Sequence, residues 1–324
     1  METIILQKST EKLNLNDGQL IHREGDVILG AYPILTVEQV FVYGNGQITT
    51  QALKACLREG IRVVYFNAYG KFLGRLEPDY PKNTQRRLNQ YKLYWNPDQR
   101  LAWGKALIQA KVQGQLVELR RMHERNVAFP YSKIRSNLKK AQKHINQAQN
   151  IPELLGTEGH CSRIYFNAFS YAMPEGLAWR GRSYFPPADI ENCVFSLLYG
   201  CCANEIRCLC EHHGLDPHCG FLHEPGYNRA GIVYDLLEVV RAVLCDNYAF
   251  YLFQKYGAVL QKCKTLDHEL KRQICDGFRE KLFMRGGRQE FSGKELLRKL
   301  LSETLRYIDS GETAPDFQSL LPKR

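Results

Sequence analysis

The sequence lacks any long uninterrupted hydrophobic run. Residues 1–5 do not show the cationic start and apolar stretch of a signal peptide, and no later run approaches the roughly 20 apolar residues of a membrane span. Acidic residues are also in deficit, with 34 Asp and Glu against 44 Lys and Arg, so the formal net charge is +10. We therefore expect a cytoplasmic protein whose charge favours an acidic partner, most simply nucleic acid.

No Cys-x-x-Cys pair occurs among the 11 cysteines. Their odd number and the missing secretion signal indicate reduced thiols rather than a disulfide framework. Six cysteines and four histidines nevertheless crowd into residues 193–223, so a structural zinc site is a competing interpretation. The absence of paired ligand spacing argues against zinc, because structural zinc sites are normally built from such pairs.

The pattern of short runs and turns divides the 324 residues into two predicted domains. Residues 1–79 alternate β-type runs with turn signals such as Asn16-Asp17-Gly18, which predicts hairpins and one short helix over 49–58. Residues 80–324 show helical periodicity, after a short linker over 77–81 that the basic run 85–87 follows. The predicted fold class is α+β, with a small N-terminal β-rich domain (1–79) followed by a larger all-α domain (80–324).

Several helix starts in the second predicted domain carry recognisable capping residues. Asn96 followed by Pro97 predicts the start of a long helix that reaches about residue 125. Asp189 is placed to cap an apolar helix over 190–213, and Ser292 with Glu295 forms a capping-box pattern. A basic helix over 132–148 and another beginning near residue 156 complete the interpretation of this region.

The segment 214–241 combines a loop histidine with two acidic residues on a helix. His223 follows several Gly and Pro residues, so we expect it to project from an irregular loop. From Gly231 onward apolar residues recur at helical spacing, while Asp235 and Glu238 fall outside that stripe, one turn apart on one face. Two such acids are usually the solvated side of a helix. Together with the imidazole they could hold a divalent metal, given a third protein ligand elsewhere.

Four ordered motifs resemble one known family over nearly the whole chain. They are LLGTEGHCSRIYF at 154–166, PPADIENCVFSLLYGCCANEI at 186–206, GLDPHCGFLHEPGYNRAGIVYDLLEVVR at 214–241 and, near the N-terminus, GNGQITTQALKACLREGIRVVYF at 44–66. The sequence is similar to the first-numbered family of CRISPR-associated (Cas) proteins, the metal-dependent integrase and endonuclease of spacer acquisition. As an ordered set, these motifs are far more specific than any one of them.

The resemblance implies a catalytic metal site. In that family the glutamate of a G-x-E-G element, the histidine of a G-F-x-H element and an acidic residue on the next helix hold the metal. Here these positions are Glu158, His223 and Glu238, with Asp235 at the neighbouring acidic position. Two carboxylates and one imidazole suit Mn²⁺ or Mg²⁺, with positions left for water and phosphate oxygens.

The resemblance also implies an activity and a set of partners. The expected activity is insertion of short DNA fragments into a CRISPR array by 3′-hydroxyl attack on repeat-end phosphodiesters, with double-stranded and branched DNA as substrate. The expected partners are a second copy, bound through the β-rich domain, and a small ferredoxin-like adaptation protein. Arg163 and Arg241 could contact phosphates or be ordinary surface arginines, and Lys139 and Lys140 on the basic helix are further DNA-binding candidates.

Two alternatives of other classes stand beside this hypothesis. The first is a zinc-stabilised nucleic-acid-binding module without catalysis, which would use the Cys/His cluster and the basic helix. The second is a structural scaffold without activity, which is disfavoured because all three candidate metal ligands are present.

Overall fold

The computed structural model describes residues 2–68, 70, 72–76, 83–126, 128–177, 179–183, 186–226, 229–284, 291–311 and 313–322. The chain forms two compact units, one of Met1–Pro81 with Asp267–Gln273 and one of Lys82–Leu266 with Ile274–Arg324. The predicted domain boundary at residues 79 and 80 lies outside the described residues. The strand-rich first part and the largely helical remainder give an α+β protein, as predicted.

The first unit contains two four-stranded sheets in its described part. One sheet has the strand order β1-β5-β7-β8 and the other the order β4-β3-β2-β6. The elements, in chain order, are β1 (Glu2–Leu6), β2 (Glu11–Asn16), β3 (Gln19–Glu24), β4 (Val27–Pro33), β5 (Val37–Tyr43), β6 (Gln47–Ile48), α1 (Thr50–Arg58), β7 (Arg62–Phe66) and β8 (Phe72–Leu76).

The strand pairing corrects part of the hairpin prediction. Strands β2 and β3 do form a hairpin, closed by Asp17 (φ 45°) and Gly18 (φ 73°), the two positive φ angles that a tight type I′ turn requires. Strands β3/β4 and β7/β8 are also antiparallel, although turn residue 69 lies outside the described residues. Strand β1, however, pairs in parallel with β5, and β5 with β7. Parallel neighbours come from distant segments, so a scan for local turns could not predict them.

Apolar side chains from both sheets and α1 meet in one core in this unit. Leu13 and Leu20 come from one sheet, Val40 and Val63 from the other, and Cys56 from α1, and all five are 0% exposed. Apolar residues alternate along β2, as expected for a strand with one buried face. This packing explains why strand runs as short as five or six residues are stable here.

The second unit is helical throughout its described part. Its helices are α2 (Thr84–Trp95), α3 (Pro97–Arg125), α4 (Tyr131–Gln147), α5 (Ile151–Asn167), α6 (Ile190–His212), α7 (Gly231–Arg241), α8 (Asn247–Leu260), α9 (His268–Phe283, whose first residues belong to the first unit) and α10 (Gly293–Ser310). A π-helical turn, Ala242–Asp246, joins α7 to α8. A short 3₁₀ turn covers Ala168–Tyr171 in this unit, and another covers Ile34–Thr36 in the first unit.

The predicted helix caps are confirmed. The side chain of Asn96 accepts the N–H of Gln99 at 3.0 Å, and that of Asp189 accepts the N–H of Asn192 at 2.7 Å. Ser292 and Glu295 exchange both hydrogen bonds of a capping box. Each cap satisfies a backbone donor that a helix start would otherwise leave open.

One predicted helix start was wrong, and one helix was not predicted separately. The basic run 85–87, which follows the predicted linker, lies inside α2, which Asn83 caps by accepting the N–H of Arg86 at 3.0 Å. Helix α5 begins at Ile151, capped by Asn150, and not near Gly156. Glu158 is therefore in the middle of α5 rather than in its first turn.

Helix α6 is both long and apolar. Ile190–His212 is long and apolar enough to cross a membrane by length and composition, which corrects the prediction that no run approaches a span. Half of that window is buried inside the protein, and residues such as Phe195, Leu198 and Cys202 are 0% exposed. Burial of this kind is typical of a core helix, which must be apolar on several faces.

Candidate metal and nucleic-acid site

The loop between α6 and α7 is held against the start of α7 by two glycines. Gly214, at φ 78°, ends α6 in the left-handed conformation that favours glycine. A Cβ added at Gly220 would lie 2.5 Å from the carbonyl carbon of Gly231, and one added at Gly231 would lie 2.7 Å from the amide nitrogen of Gly220. The two backbones touch, so Gly231 packs against its own loop.

Asp235 organises this loop from inside the protein. Its Oδ2 accepts the backbone N–H groups of Phe221 (2.6 Å) and Leu222 (3.0 Å). Its Oδ1 accepts the backbone N–H of His223 (3.0 Å) and bonds with His223 Nδ1 (2.8 Å). Asp235 is 0% exposed, so its interpretation as part of a solvated face was wrong. The loop covers the helix face that the apolar stripe left open.

Glu158 and Glu238 converge on the ammonium group of Lys111. Glu158 Oε1 forms an ion pair with Lys111 Nζ and also accepts the hydroxyl of Ser162 at 2.7 Å. Glu238 Oε2 lies 2.6 Å from the same Nζ, so one ammonium faces both carboxylates. The side chain of Lys111 is 1% exposed, whereas those of Glu158 and Glu238 are 21% and 13% exposed. The ammonium therefore lies at the floor of a small, partly open acidic site.

Neighbouring cations keep both carboxylates ionised. Burial acts to raise the pKa of Glu238, but the charges of Arg241 and Lys111 outweigh it and lower that pKa to about 2. Burial likewise opposes ionisation of Glu158, and the Lys111 charge overcomes it, so the pKa of Glu158 lies below its usual range. Each carboxylate is thus negatively charged at neutral pH, as a ligand for a divalent cation must be.

His223 stands beside this acidic pair. It is close enough to Glu238 to lower the pKa of that carboxylate, and its ring is 20% exposed. With Nδ1 bound to Asp235, Nε2 is the ring nitrogen that remains for a ligand. The structure thus brings the three predicted ligands into one neighbourhood. However, no group of three or more His, Cys, Asp or Glu in the described residues is arranged to hold a metal ion.

Arg241 belongs to this site rather than to the open surface. Its guanidinium donates to Glu238 Oε1 at 3.0 Å and lies over the rings of Phe166 (5.6 Å) and Tyr199 (5.5 Å). Tyr199 in turn donates to Asp246 at 2.6 Å, in the π-helical turn. Arg241 is 9% exposed, so its predicted phosphate contact, which stays a prediction, would compete with these partners.

The other predicted DNA-binding residues are on the surface. Arg163 is exposed on α5, and Lys139 and Lys140 are exposed on α4, where Lys139 donates to Gln142 at 3.0 Å. Partial burial and the nearby positive charge of Arg135 lower the pKa of Lys139. Exposed cations of this kind suit phosphate contacts without fixing which nucleic acid they contact.

Lys111 is the residue that sequence reasoning missed. A signal was available, because Lys111, Gln115 and Glu118 recur at i, i+4 and i+7 in an otherwise apolar part of α3. That spacing places three polar side chains on one helix face, and all three are at most 1% exposed. Buried polar groups need hydrogen-bonding or ionic partners, so a polar stripe on a buried helix face indicates a functional site.

The cysteines and histidines of residues 193–223 are dispersed rather than gathered. Cys202, Cys208, Cys210 and Cys219 are buried, and burial raises the pKa of the Cys219 thiol to about 12. Cys201 Sγ instead lies 3.1 Å from Cys275 Sγ on α9. A thiol with a raised pKa is a poor metal ligand, because metals bind the thiolate.

Comparison with known proteins identifies relatives of the chain. A family model described as CRISPR associated protein Cas1 matches residues 4–269. A protein of Thermus thermophilus, named CRISPR-associated endonuclease Cas1 3, is 33% identical over 239 residues, which cover 74% of this chain and 70% of that protein.

Two solved structures share the fold. A casposase bound to integration product superposes with a TM-score of 0.77 at 20% identity, covering 98% of this chain and 93% of that one. A Cas6-RT-Cas1–Cas2 complex gives a TM-score of 0.77 at 20% identity, covering all of this chain and 36% of that much longer one. At such identities the likeness establishes the fold and not the chemistry.

Proposed function

Because the chain belongs to the Cas1 family, we propose that it is a metal-dependent DNA endonuclease and integrase. It inserts short foreign DNA fragments as spacers into a CRISPR array, by attack of a 3′ hydroxyl on a repeat-end phosphodiester. When water replaces the hydroxyl, the same displacement hydrolyses the strand. We also propose that this action takes place in the cytoplasm.

One observation carries the proposal. Two carboxylates from different helices, Glu158 on α5 and Glu238 on α7, reach the same buried ammonium beside a histidine whose orientation Asp235 fixes. An arrangement that serves only stability has no need to hold two acids together next to a partly exposed imidazole. Perturbed carboxylates grouped in this way are typical of functional sites.

The donor set, two carboxylates and one imidazole nitrogen, suits a hard divalent cation. Glu238 Oε2 is a buried oxygen that faces the Lys111 ammonium, and His223 presents Nε2, so Glu158, His223 and Glu238 would hold Mn²⁺ or Mg²⁺. When bound, such an ion neutralises charge that develops on the phosphodiester and lowers the pKa of an attacking hydroxyl or water. Asp235 serves as the accessory acid, because both of its oxygens are already used by the loop.

The chain's own residues prepare this site. Asp235 accepts a hydrogen bond from the Nδ1–H of His223, which leaves the lone pair on Nε2. This is the common arrangement behind a metal-binding histidine. Arg241 and Lys111 keep Glu238 ionised at neutral pH. Arg163, Lys139 and Lys140, which are exposed, would attract the phosphates of double-stranded or branched DNA.

The proposal includes two protein partners. The first is a second copy of the chain, bound through the β-rich unit, where strand β4 is an edge strand with Val27 and Ile28 each 64% exposed. The second is a small ferredoxin-like adaptation protein, in keeping with a neighbour solved as a Cas1–Cas2 complex. Both partners would span the DNA that is being integrated.

A strand-transfer assay tests the proposal, with Mn²⁺, repeat DNA and a duplex carrying 3′ hydroxyl ends. Glu158→Gln, His223→Ala and Glu238→Gln should each reduce strand transfer by about 100-fold or more, because a lost ligand removes several kcal/mol of charge stabilisation. Glu280→Gln, at an exposed carboxylate on α9, is the matched control and should retain full activity. Near-normal activity in any of the three folded ligand variants would refute the assigned metal site.

A further inference from the structure

Lys111 is a buried cation between two predicted ligands of the site. Its side chain is 1% exposed, and its ammonium bridges Glu158 and Glu238, which come from two different helices. A buried ammonium costs free energy unless it is paired, and two partly buried carboxylates side by side repel each other. While no metal is present, the ammonium therefore offsets the repulsion between the two carboxylates, and the carboxylates supply the pairing that the buried ammonium needs.

We propose that Lys111 is a tethered internal cation, which holds the two carboxylates together before the metal arrives and then competes with it. The inference rests on the proposed function, since it takes Glu158 and Glu238 as metal ligands. Lys111 acts here as a positioning residue, because it touches the ligands rather than the reacting atoms.

The charges around the carboxylates give the direction of the effect. Glu158 and Glu238 present two carboxylates, and the Lys111 ammonium lies between them as one positive charge. Any divalent ion bound by both carboxylates must approach this ammonium, and two cations at such short range repel strongly in a partly buried site. Lys111 therefore weakens metal binding while it stabilises the metal-free fold.

The second partner of Glu238 supports competition over simple structural pairing. Glu238 Oε2 lies 2.6 Å from the Lys111 ammonium, while Oε1 accepts a hydrogen bond from Arg241 at 3.0 Å. A lysine ammonium is a point charge on a flexible stem, so it can withdraw from one carboxylate when another cation arrives. Glu238 keeps the Arg241 hydrogen bond when the ammonium withdraws, so Lys111 can be displaced without leaving this carboxylate unpaired.

The test measures metal binding and thermal unfolding without DNA or activity. Lys111→Met keeps the aliphatic length and removes the charge, and Lys111→Arg is the matched control that keeps it. Mn²⁺ affinity is measured by calorimetry on the full chain, together with the unfolding temperature with and without Mn²⁺.

We expect Lys111→Met to bind Mn²⁺ about tenfold or more tightly than the parent protein. Without Mn²⁺ it should melt at a lower temperature, and Mn²⁺ should raise that temperature by more than in the parent. Lys111→Arg should bind Mn²⁺ as weakly as the parent.

Adding His223→Ala separates this inference from the proposed function. Suppose that folded Lys111→Met binds Mn²⁺ no more tightly than the parent and that His223→Ala still abolishes this binding. The role of Lys111 is then overturned, while the proposed metal site stands. If His223→Ala leaves Mn²⁺ binding unchanged, or if neither the parent nor Lys111→Met binds Mn²⁺, the role of Lys111 and the proposed metal site are both overturned. If Lys111→Met folds only when Mn²⁺ is added, the proposal is supported, because the ion then replaces the missing charge. Failure of both Lys111→Met and Lys111→Gln to fold at saturating Mn²⁺ overturns it.

Discussion

Oδ1 of Asp235 lies 2.8 Å from Nδ1 of His223, and the same carboxylate accepts the backbone N–H groups of Phe221, Leu222 and His223. One buried acid on α7 thus fixes both the path of the loop and the orientation of its imidazole. The histidine depends on Asp235 for its place and for the nitrogen it presents. The geometry of the site is therefore coupled to the stability of the loop.

Asp235→Ala should destabilise the protein as well as inactivate it. The substitution leaves three backbone N–H groups without their acceptor, and each buried unsatisfied donor costs about 1–3 kcal/mol. We expect a clear fall in the unfolding temperature, measured by calorimetry, together with loss of strand transfer. Tyr234→Ala, at a neighbouring side chain that is 43% exposed, is the control and should melt close to the parent protein. An unfolding temperature equal to the parent's in Asp235→Ala would show that the loop does not depend on this carboxylate.

Local sequence signals predicted those parts of the structure that local physics determines. Asn96 with Pro97 correctly marked the start of a 29-residue helix, because a side-chain cap and a proline act within one turn. Ser292 with Glu295 marked another start for the same reason. The start of α5 was missed although the same signal was present, since Asn150 precedes Glu153 by three residues and bonds to it.

The sequence could not predict what distant segments bring together. Helical periodicity placed Asp235 opposite the apolar stripe, but periodicity does not reveal that a loop covers that face and fills it with backbone donors. The parallel pairing of β1 with β5 joins residues about 35 positions apart, so no short window contains it. The position of Lys111 beneath Glu158 and Glu238 likewise depends on three helices meeting. The residues of the proposed metal site were predicted through family resemblance, which carries information that local patterns lack.

The buried Glu118 on α3 should make stability depend on pH. Burial raises its pKa to about 7, although Arg121 and Arg125, 3.2 and 3.4 Å away, partly oppose this shift. A raised pKa means that the folded state binds the proton more tightly than the unfolded state, so this contribution is fully present below about pH 4.5. It is lost as the pH rises through 7.

Stability attributable to Glu118 should therefore be greater at pH 5.5 than at pH 8, by about 2 kcal/mol. Glu118→Gln should remove this difference, because the amide does not titrate. Urea unfolding of both proteins at the two pH values measures it. Glu124→Gln on the same helix, with a side chain that is 45% exposed, should keep the parent's pH dependence. If Glu118→Gln has the same pH dependence as the parent, the carboxylate is not protonated in this range.

The exposed lysines of α4 should set part of the salt dependence of DNA binding. Lys139 and Lys140 extend into solvent on a helix that also carries Lys133, Arg135 and Lys143, all exposed. Each phosphate contact releases condensed counterions, so its loss flattens the slope of log affinity against log salt by about one unit. We expect the double variant Lys139→Ala/Lys140→Ala to lose up to about two units of slope and to bind unrelated DNA sequences equally weakly.

Fluorescence anisotropy with duplex DNA at several salt concentrations measures this slope for the parent and for both double variants. Lys262→Ala/Lys264→Ala, which removes two exposed lysines after α8, controls for the change in net charge. If both double variants shift the slope equally, the effect comes from net charge and α4 is only a solvated face. An unchanged slope in the α4 variant would instead move the DNA path toward Arg163, because Arg241 is 9% exposed and already paired with Glu238.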